Sequence, residues 1–220
     1  MAFELTVEKI QEAIEWGYEQ SVNGLPGMGT AIDLADDYIK QGGSVSDQID
    51  SLIRWQNTKA ATAGFVTGIG GAITLPVAIP ANIASTLYIQ MRMIAAIAHI
   101  SGHDIKDDRI KTMMFVCLTG NAVNEVLKDT GITVSTKLAT AAIKNISRKT
   151  IDRINSAVGF RLLTKFGTTG AVNLGKMVPV LGAFIGATFD GVTTNIIGNK
   201  TKEIFWENRG IFEAEYKDIS

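Results

Sequence analysis

Two histidines, His99 and His103, stand four residues apart, with Asp104, Asp107 and Asp108 close behind. On an unbroken helix that spacing puts both imidazoles on one face, as a shared divalent metal requires. Gly102 falls between them and no HExxH follows, so capping and loop roles are expected here, and no metal. Asp33, Asp36 and Asp37 supply paired carboxylates of the kind used in acid–base work or cation binding. Clustered acids near a helix start more often complement the helix dipole, and that is the expectation for these three. The run GFVTGIGG resembles a phosphate-cradling loop, but it follows a helical rather than a strand pattern. It also lacks the spacing and later acid of a dinucleotide fingerprint, so no cofactor is expected. Cys117 sits in the apolar run MMFVCLTG without a GxSxG or CxxC elsewhere. It reads as a small buried side chain rather than a nucleophile.

Arg92 and Asp190 are isolated charges, each in an otherwise apolar helical run. A buried charge needs a partner, so these two are expected to meet across packed helices; the alternative is that both reach out to solvent. Asn82, Gln90, Asn121, Asn124 and Asn195 also interrupt apolar helices. Such groups usually knit helices together, and less often they line a site. A pocket built from Arg92, Gln90, Asn121, Asn124 and Asp190 is the arrangement that an enzymatic reading requires.

The elements that position these residues are helical. Val7, Ile10, Ile14 and Gly17 recur at helical spacing, which predicts an amphipathic helix over 4–20, broken by Asn23-Gly24-Leu25-Pro26-Gly27. A short helix over 28–40 ends at Gly42-Gly43, and Asp47 is expected to cap the next one. Long helical runs follow over 80–100 and 105–128, separated by Ser101-Gly102-His103. Ile151, Ile154, Val158 and Leu162 form one stripe of a later helix, with Arg148, Lys149, Arg153 and Lys165 on its other faces. Leu25-Pro26-Gly27, Leu75-Pro76-Val77 and Val178-Pro179-Val180 read either as three independent helix starts or as a duplicated helix–Pro turn–helix hairpin. No segment alternates as a strand does. The expected fold is all-α: a single-domain multi-helix bundle, with an amphipathic helix over 1–22, the main domain over 23–210 and a tail over 211–220.

With 220 residues, 46% apolar and 20% charged, the chain can bury a substantial core and is not disordered. The net charge of −1 gives no general attraction to nucleic acid, yet it hides an asymmetry. Residues 1–56 hold ten acids and three bases, while 134–176 hold eight bases (including Lys137, Lys144, Arg148, Lys149, Arg153, Arg161, Lys165 and Lys176) and one acid, Asp152. Between them, residues 60–91 carry no charge. That stretch is long enough to span a bilayer, but Gly70-Gly71, Pro76 and Pro80 cut it into short pieces. It therefore reads as a Gly/Pro-interrupted apolar helical hairpin. Gly64 and Gly68, like Gly182 and Gly186, are spaced to let helices approach closely. Trp55 and Trp206 flank the low-charge stretches, as interfacial residues do. The hairpin is expected either to be buried in a soluble bundle, to insert shallowly in a membrane, or to span one. The acidic start shows no secretory or transit pattern, which predicts a cytoplasmic protein.

The segment AGFVTGIGGAITLPVAIPANIASTLYIQMRMIAAIAHISGHD is similar to the central signature of the EcsC protein family of bacteria. GLPGMGTAIDLADDYI, CLTGNAVNEVLKDTGI, INSAVGFRLLTKFG and VPVLGAFIGATFDGVTTNIIGNKTKEIF continue the likeness in order, over roughly residues 20–206. The resemblance implies no catalytic activity or catalytic residues; the family takes its name from a protein encoded beside the subunits of an ABC transporter. The pattern also resembles, distantly, helical domains attached to membrane-acting GTPases, although no Walker A motif is present here. The favoured reading is a non-enzymatic, peripherally membrane-associated module. Its basic stretch, with Lys144, Arg148, Lys149, Arg153, Arg161 and Lys165, would face an anionic lipid surface or a membrane-protein complex. The competing readings are an enzyme built on the polar pocket and a membrane-perturbing effector of the toxin or phage-defence type.

Overall fold

A computed structural model describes residues 5–60, 81–131, 146–173 and 192–207. Among these residues the fold is all-α, and the nearest approach to a sheet is one isolated bridge between Leu25 and Met28. We label the helices α1 (Val7–Asn23), α2 (Ala31–Ile39), α3 (Val45–Ala60), α4 (Ala81–Ile100), α5 (Asp108–Cys117), α6 (Val123–Asp129) and α7 (Arg148–Asn173). A final helix over 192–202, α8, runs into a π-turn over Glu203–Glu207.

Helix α4 is the axis of the bundle. Leu87, Tyr88, Met91, Met93, Ile94, Ala95, Ala96, Ile97 and Ala98 are all buried, as expected for a helix that is apolar all round. Helices α1, α2, α3 and α5 pack around it, and α7 packs on α1 and α5 from outside. The window Ile83–Ile100 is long and apolar enough to cross a membrane, with a mean hydropathy of 1.3, but 78% of it is buried inside the bundle.

The order of the helices along the bundle follows from side-chain pairs. Asp50 meets Lys202 at 2.7 Å, and Ile53 packs on Gly198, so α3 and α8 run antiparallel. Gln90 bonds Thr194, and His103 bonds the Phe205 carbonyl, so α4 runs parallel to α8. The C-terminal end of α3, the N-terminal end of α4 and the start of α8 therefore share one end of the bundle. Arg148 shares a small cavity with Asp108 and Lys111, beyond the C-terminal end of α4, so α7 starts at the opposite end.

Local signals explain most boundaries. Helix α1 starts at Thr6, whose hydroxyl accepts from the Lys9 amide, and stops at Gly24. Pro26 lies in a tight turn closed by mutual Leu25–Met28 backbone bonds, and α2 starts only at Ala31. The expectation of Pro26 within a first helical turn is thus corrected; Pro76 and Pro179 lie outside the described residues. Ser44, not Asp47, caps α3. Its hydroxyl accepts from the Asp47 amide while the Asp47 carboxylate takes both Ser44 donors. Thr30 and Asp33 make the same reciprocal box on α2. The helical run expected over 105–128 is divided. Asp107 caps α5, and a 3-10 turn at Gly120–Ala122 separates α5 from α6. Gly120 has φ +60, a value that a helix interior does not use, and a Cβ there would touch Ile196.

Candidate functional site

The basic surface is organised by α7. Ser147 starts this helix, its hydroxyl within 2.9 Å of the Thr150 hydroxyl and accepting from the Thr150 amide. Ile154, Val158 and Leu162 are buried as the stripe predicted, and they fix which way the helix faces. At about 100° per residue, Lys149, Arg153, Ser156, Phe160 and Thr164 fall on the opposite face, and all five are exposed. Phe160 is 61% exposed, an unusual place for so large an apolar ring. Arg148, Lys149 and Arg153 sit in the first turns of α7, where the helix dipole is positive, and no acid occupies the first turn. None of the three forms an ion pair among the described residues. Arg161 differs, because it is paired with Glu125 of α6. Lys165 is partly buried, with Nζ 5.4 Å from the Phe166 ring centre. Lys144 lies outside the described residues, as do Gly64, Gly68, Gly70, Gly71, Pro76 and Pro80, and Gly182 and Gly186.

The residues singled out for a polar pocket reach separate partners. Gln90 is buried and donates to the Thr194 hydroxyl at 3.4 Å. Arg92 donates to the Thr30 carbonyl at 3.4 Å, tying α4 to α2, and its Nε is buried without a partner. Asn121 and Asn124 are exposed on the 3-10 turn and α6. No hydrogen bond joins any two of these four among the described residues. Asp190, the partner expected for Arg92, lies outside the described residues. Buried polar atoms of Gln56, Asn57, Tyr88 and Ser101 also lack partners; nothing in their sequence spacing marked them.

The remaining candidates have structural roles. His103 Nε2 is 3.0 Å from the Phe205 carbonyl, which can only accept, so that nitrogen carries the proton. Its ring meets the Phe205 ring edge-on at 5.2 Å. Among the described residues no three His, Cys, Asp or Glu side chains gather as a metal site would require. Asp104 and Asp107 accept backbone N–H groups at the start of α5. Cys117 is fully buried, and that burial pushes its thiol up to about 12.

A trough of about 810 Å³ lies between α1 and α7, and sequence reasoning did not identify it. Its floor is apolar, with Ile14, Trp16, Phe115 and Val158. Its rim is acidic, with Glu8, Glu12, Glu15 and Glu19 from α1 and Asp152 from α7. Lys111 neutralises Glu15 at 2.6 Å and lies 4.4 Å from the centre of the Tyr18 ring. Burial, and then the carboxylates of Glu15, Asp104 and Asp108, raise the Tyr18 hydroxyl above its ordinary range. The i, i+4, i+7, i+11 spacing of the four glutamates was the available signal.

The EcsC protein family matches residues 5–206, nearly the whole chain, and the chain belongs to that family. No curated protein and no solved structure matches it.

Proposed function

We propose that this EcsC-family chain is a helical binding module that associates reversibly with an anionic membrane surface, or with a complex seated there, from the cytoplasmic side. The observation that carries this reading is the outward face of α7. Lys149 and Arg153 precede an exposed Phe160 by about three and two turns, on the side opposite the buried stripe. A helix with cations and an aromatic ring on its solvent side suits the boundary between headgroups and acyl chains. Gathering Arg148, Lys149 and Arg153 at the positive end of the helix dipole is unfavourable within the protein. Arg148 shares a cavity with Glu15, Asp108 and Asp152, and an anionic surface adds counter-charge to Lys149 and Arg153 on the outward face. The charge-free sequence over 60–91 adds support, because it leaves α3 and enters α4 at one end of the bundle, beside Trp55 and Val192, which are 52% and 61% exposed.

The test is co-sedimentation with vesicles of phosphatidylserine and phosphatidylcholine against phosphatidylcholine alone. Binding is expected only to the anionic vesicles at low ionic strength, and it weakens as salt rises. Each basic residue near such a surface contributes about 1 kcal/mol, so Arg148→Gln/Lys149→Gln/Arg153→Gln lowers the affinity by about a hundredfold. A protein that ignores anionic vesicles at low ionic strength is not a membrane-surface module, and a soluble enzyme or protein-binding role then replaces this reading.

A further inference from the structure

We infer that the layer where α3, α4 and α8 meet, built by Gln56, Asn57, Gln90 and Thr194, is a binding site for one internal water molecule that bridges the three helices. The register of the helices brings these residues to one height. Helices α3 and α8 run antiparallel through Asp50–Lys202 and Ile53–Gly198. One further turn along both sets Gln56 and Asn57 beside Thr194. Thr194 in turn accepts from Gln90 of α4 at 3.4 Å. The layer is deeply buried: Gln56 is 3% exposed, and Gln90 and Thr194 are each 1% exposed.

Hydrogen-bonding capacity selects the occupant. Gln56 Nε2, Asn57 Oδ1 and Gln90 Oε1 are all buried without a hydrogen-bond partner among the described residues. An amide atom taken out of solvent and left unmatched is costly, and three of them at one height share one remedy. A water molecule donates twice and accepts twice. It can give its protons to Asn57 Oδ1 and Gln90 Oε1 and take one from Gln56 Nε2. Turning the Asn57 amide about leaves the match intact, because the water then accepts from Nδ2 instead. The four side chains are uncharged, so an ion would enter the layer without a counter-charge. Internal waters of this kind, held by about three hydrogen bonds, occur about once per 27 residues in folded proteins. The layer lies about one turn before α3 ends at Ala60, and α4 starts at Ala81. The water therefore ties the three helices together where the charge-free sequence leaves α3 and enters α4. The inference goes beyond vesicle binding and does not depend on it.

The experiment uses the full chain. A high-resolution crystal structure should show an isolated water about 2.7–3.2 Å from at least two of the three amide atoms. In solution, nuclear magnetic resonance should show cross-peaks from water to the side-chain N–H protons of Gln56 and Gln90, with the sign of a dipolar contact and not of chemical exchange. Gln90→Met and Asn57→Leu each remove one anchor of the water. In either variant that keeps the helical circular dichroism of the parent, the Gln56 cross-peak should fall severalfold. Ser101→Ala, near the other end of α4, should leave that cross-peak unchanged. The inference is overturned if the three amides bond one another directly with no water between them, if the Gln56 cross-peak survives both substitutions in the layer, or if Ser101→Ala removes it as well. The crystal structure and spectra of the parent decide the matter even where a variant does not fold.

Discussion

Cys117 shows how far one buried side chain reports on the whole. The pocket that holds it excludes water, so the thiolate is disfavoured and the thiol is pushed up to about 12 from an ordinary 9.0, with the neighbouring Thr201 side chain opposing the shift. The folded value is raised, so as the pH rises above 9 the unfolded chain loses a proton that the folded chain keeps. Stability therefore falls between pH 9 and about 12, by up to about 1.4 kcal/mol per pH unit. Burial also raises the hydroxyls of Tyr18, Tyr38 and Tyr88, which add to the loss above their ordinary value of 10. Urea midpoints measured at pH 8, 9 and 10 should fall in the parent. In Cys117→Ala the fall between 9 and 10 should flatten; an equal slope in both would show that the thiol ionises freely. The native thiol should also resist a thiol-specific reagent at pH 8 until the chain is unfolded. The opposite effect comes from Asp33 and Asp47. The side-chain and backbone bonds to Thr30 and Ser44 hold both carboxyls below their ordinary value of 3.8. Their contribution is present above that value and is lost as the pH falls through the lower folded one, so it belongs to the acid limb of the stability profile.

At the scale of elements, stability depends on how closely helices approach and how they begin. A Cβ at Gly198 would lie 2.8 and 3.0 Å from two carbons of Ile53, across the α3–α8 contact. Gly198→Ala should therefore destabilise by about 1–3 kcal/mol through overpacking. In an Ile53→Ala background the same glycine substitution should cost much less, since that change removes all three carbons the added Cβ would strike. Additive penalties in thermal unfolding would show that the two residues do not meet. Gly159→Ala should cost less, because its contacts to Gln11 and Val7 begin at 3.0 and 3.1 Å and both partners are only partly buried. Thr30→Ala removes the cap of α2 and should cost about 1 kcal/mol. Much of this level was legible in the sequence. The stripe of Ile151, Ile154, Val158 and Leu162 gave the buried face of α7, and the apolar run over 80–100 gave the helix α4, but not whether it lies in a core or meets a membrane. The break at Gly120 was not legible, because apolar periodicity continues through Phe115, Val116, Val123 and Val126 and conceals it. The cap of α3 was misplaced by three residues, because Ser44 and Asp47 are both good caps and only the reciprocal bonds decide between them. The trough was missed for a different reason. Its rim comes from α1 and Asp152, which are 133 or more residues apart along the chain, and nothing local pairs those two helices.

Across the whole molecule, the two features that support membrane binding lie at different places. The cations Arg148 and Lys149 stand where α7 begins, at the end of the bundle where α4 finishes. The charge-free sequence joins α3 and α4 at the other end, where Trp55 and Val192 are exposed. Helix α7 has 26 residues, which makes it about 39 Å long. On the proposed reading, an electrostatic contact along α7 and an apolar contact beside Trp55 would be separable in space, and they should separate in salt as well. The tryptophans supply the readout. Trp16 is 7% exposed, Trp206 is partly buried and Trp55 is 52% exposed, so a vesicle-induced blue shift in the parent should come chiefly from Trp55. Trp55→Phe should remove most of that shift. Adding Phe160→Trp to this variant then places a reporter on the outward face of α7. Because Debye screening shortens to about 3 Å at 1 M salt, the Phe160→Trp shift should vanish as salt is raised. The Trp55 shift, which depends on apolar burial, should persist. If both reporters lose their shift together, the molecule has one contact with the surface, and if neither shifts while the protein sediments with vesicles, it is held by a partner rather than by lipid.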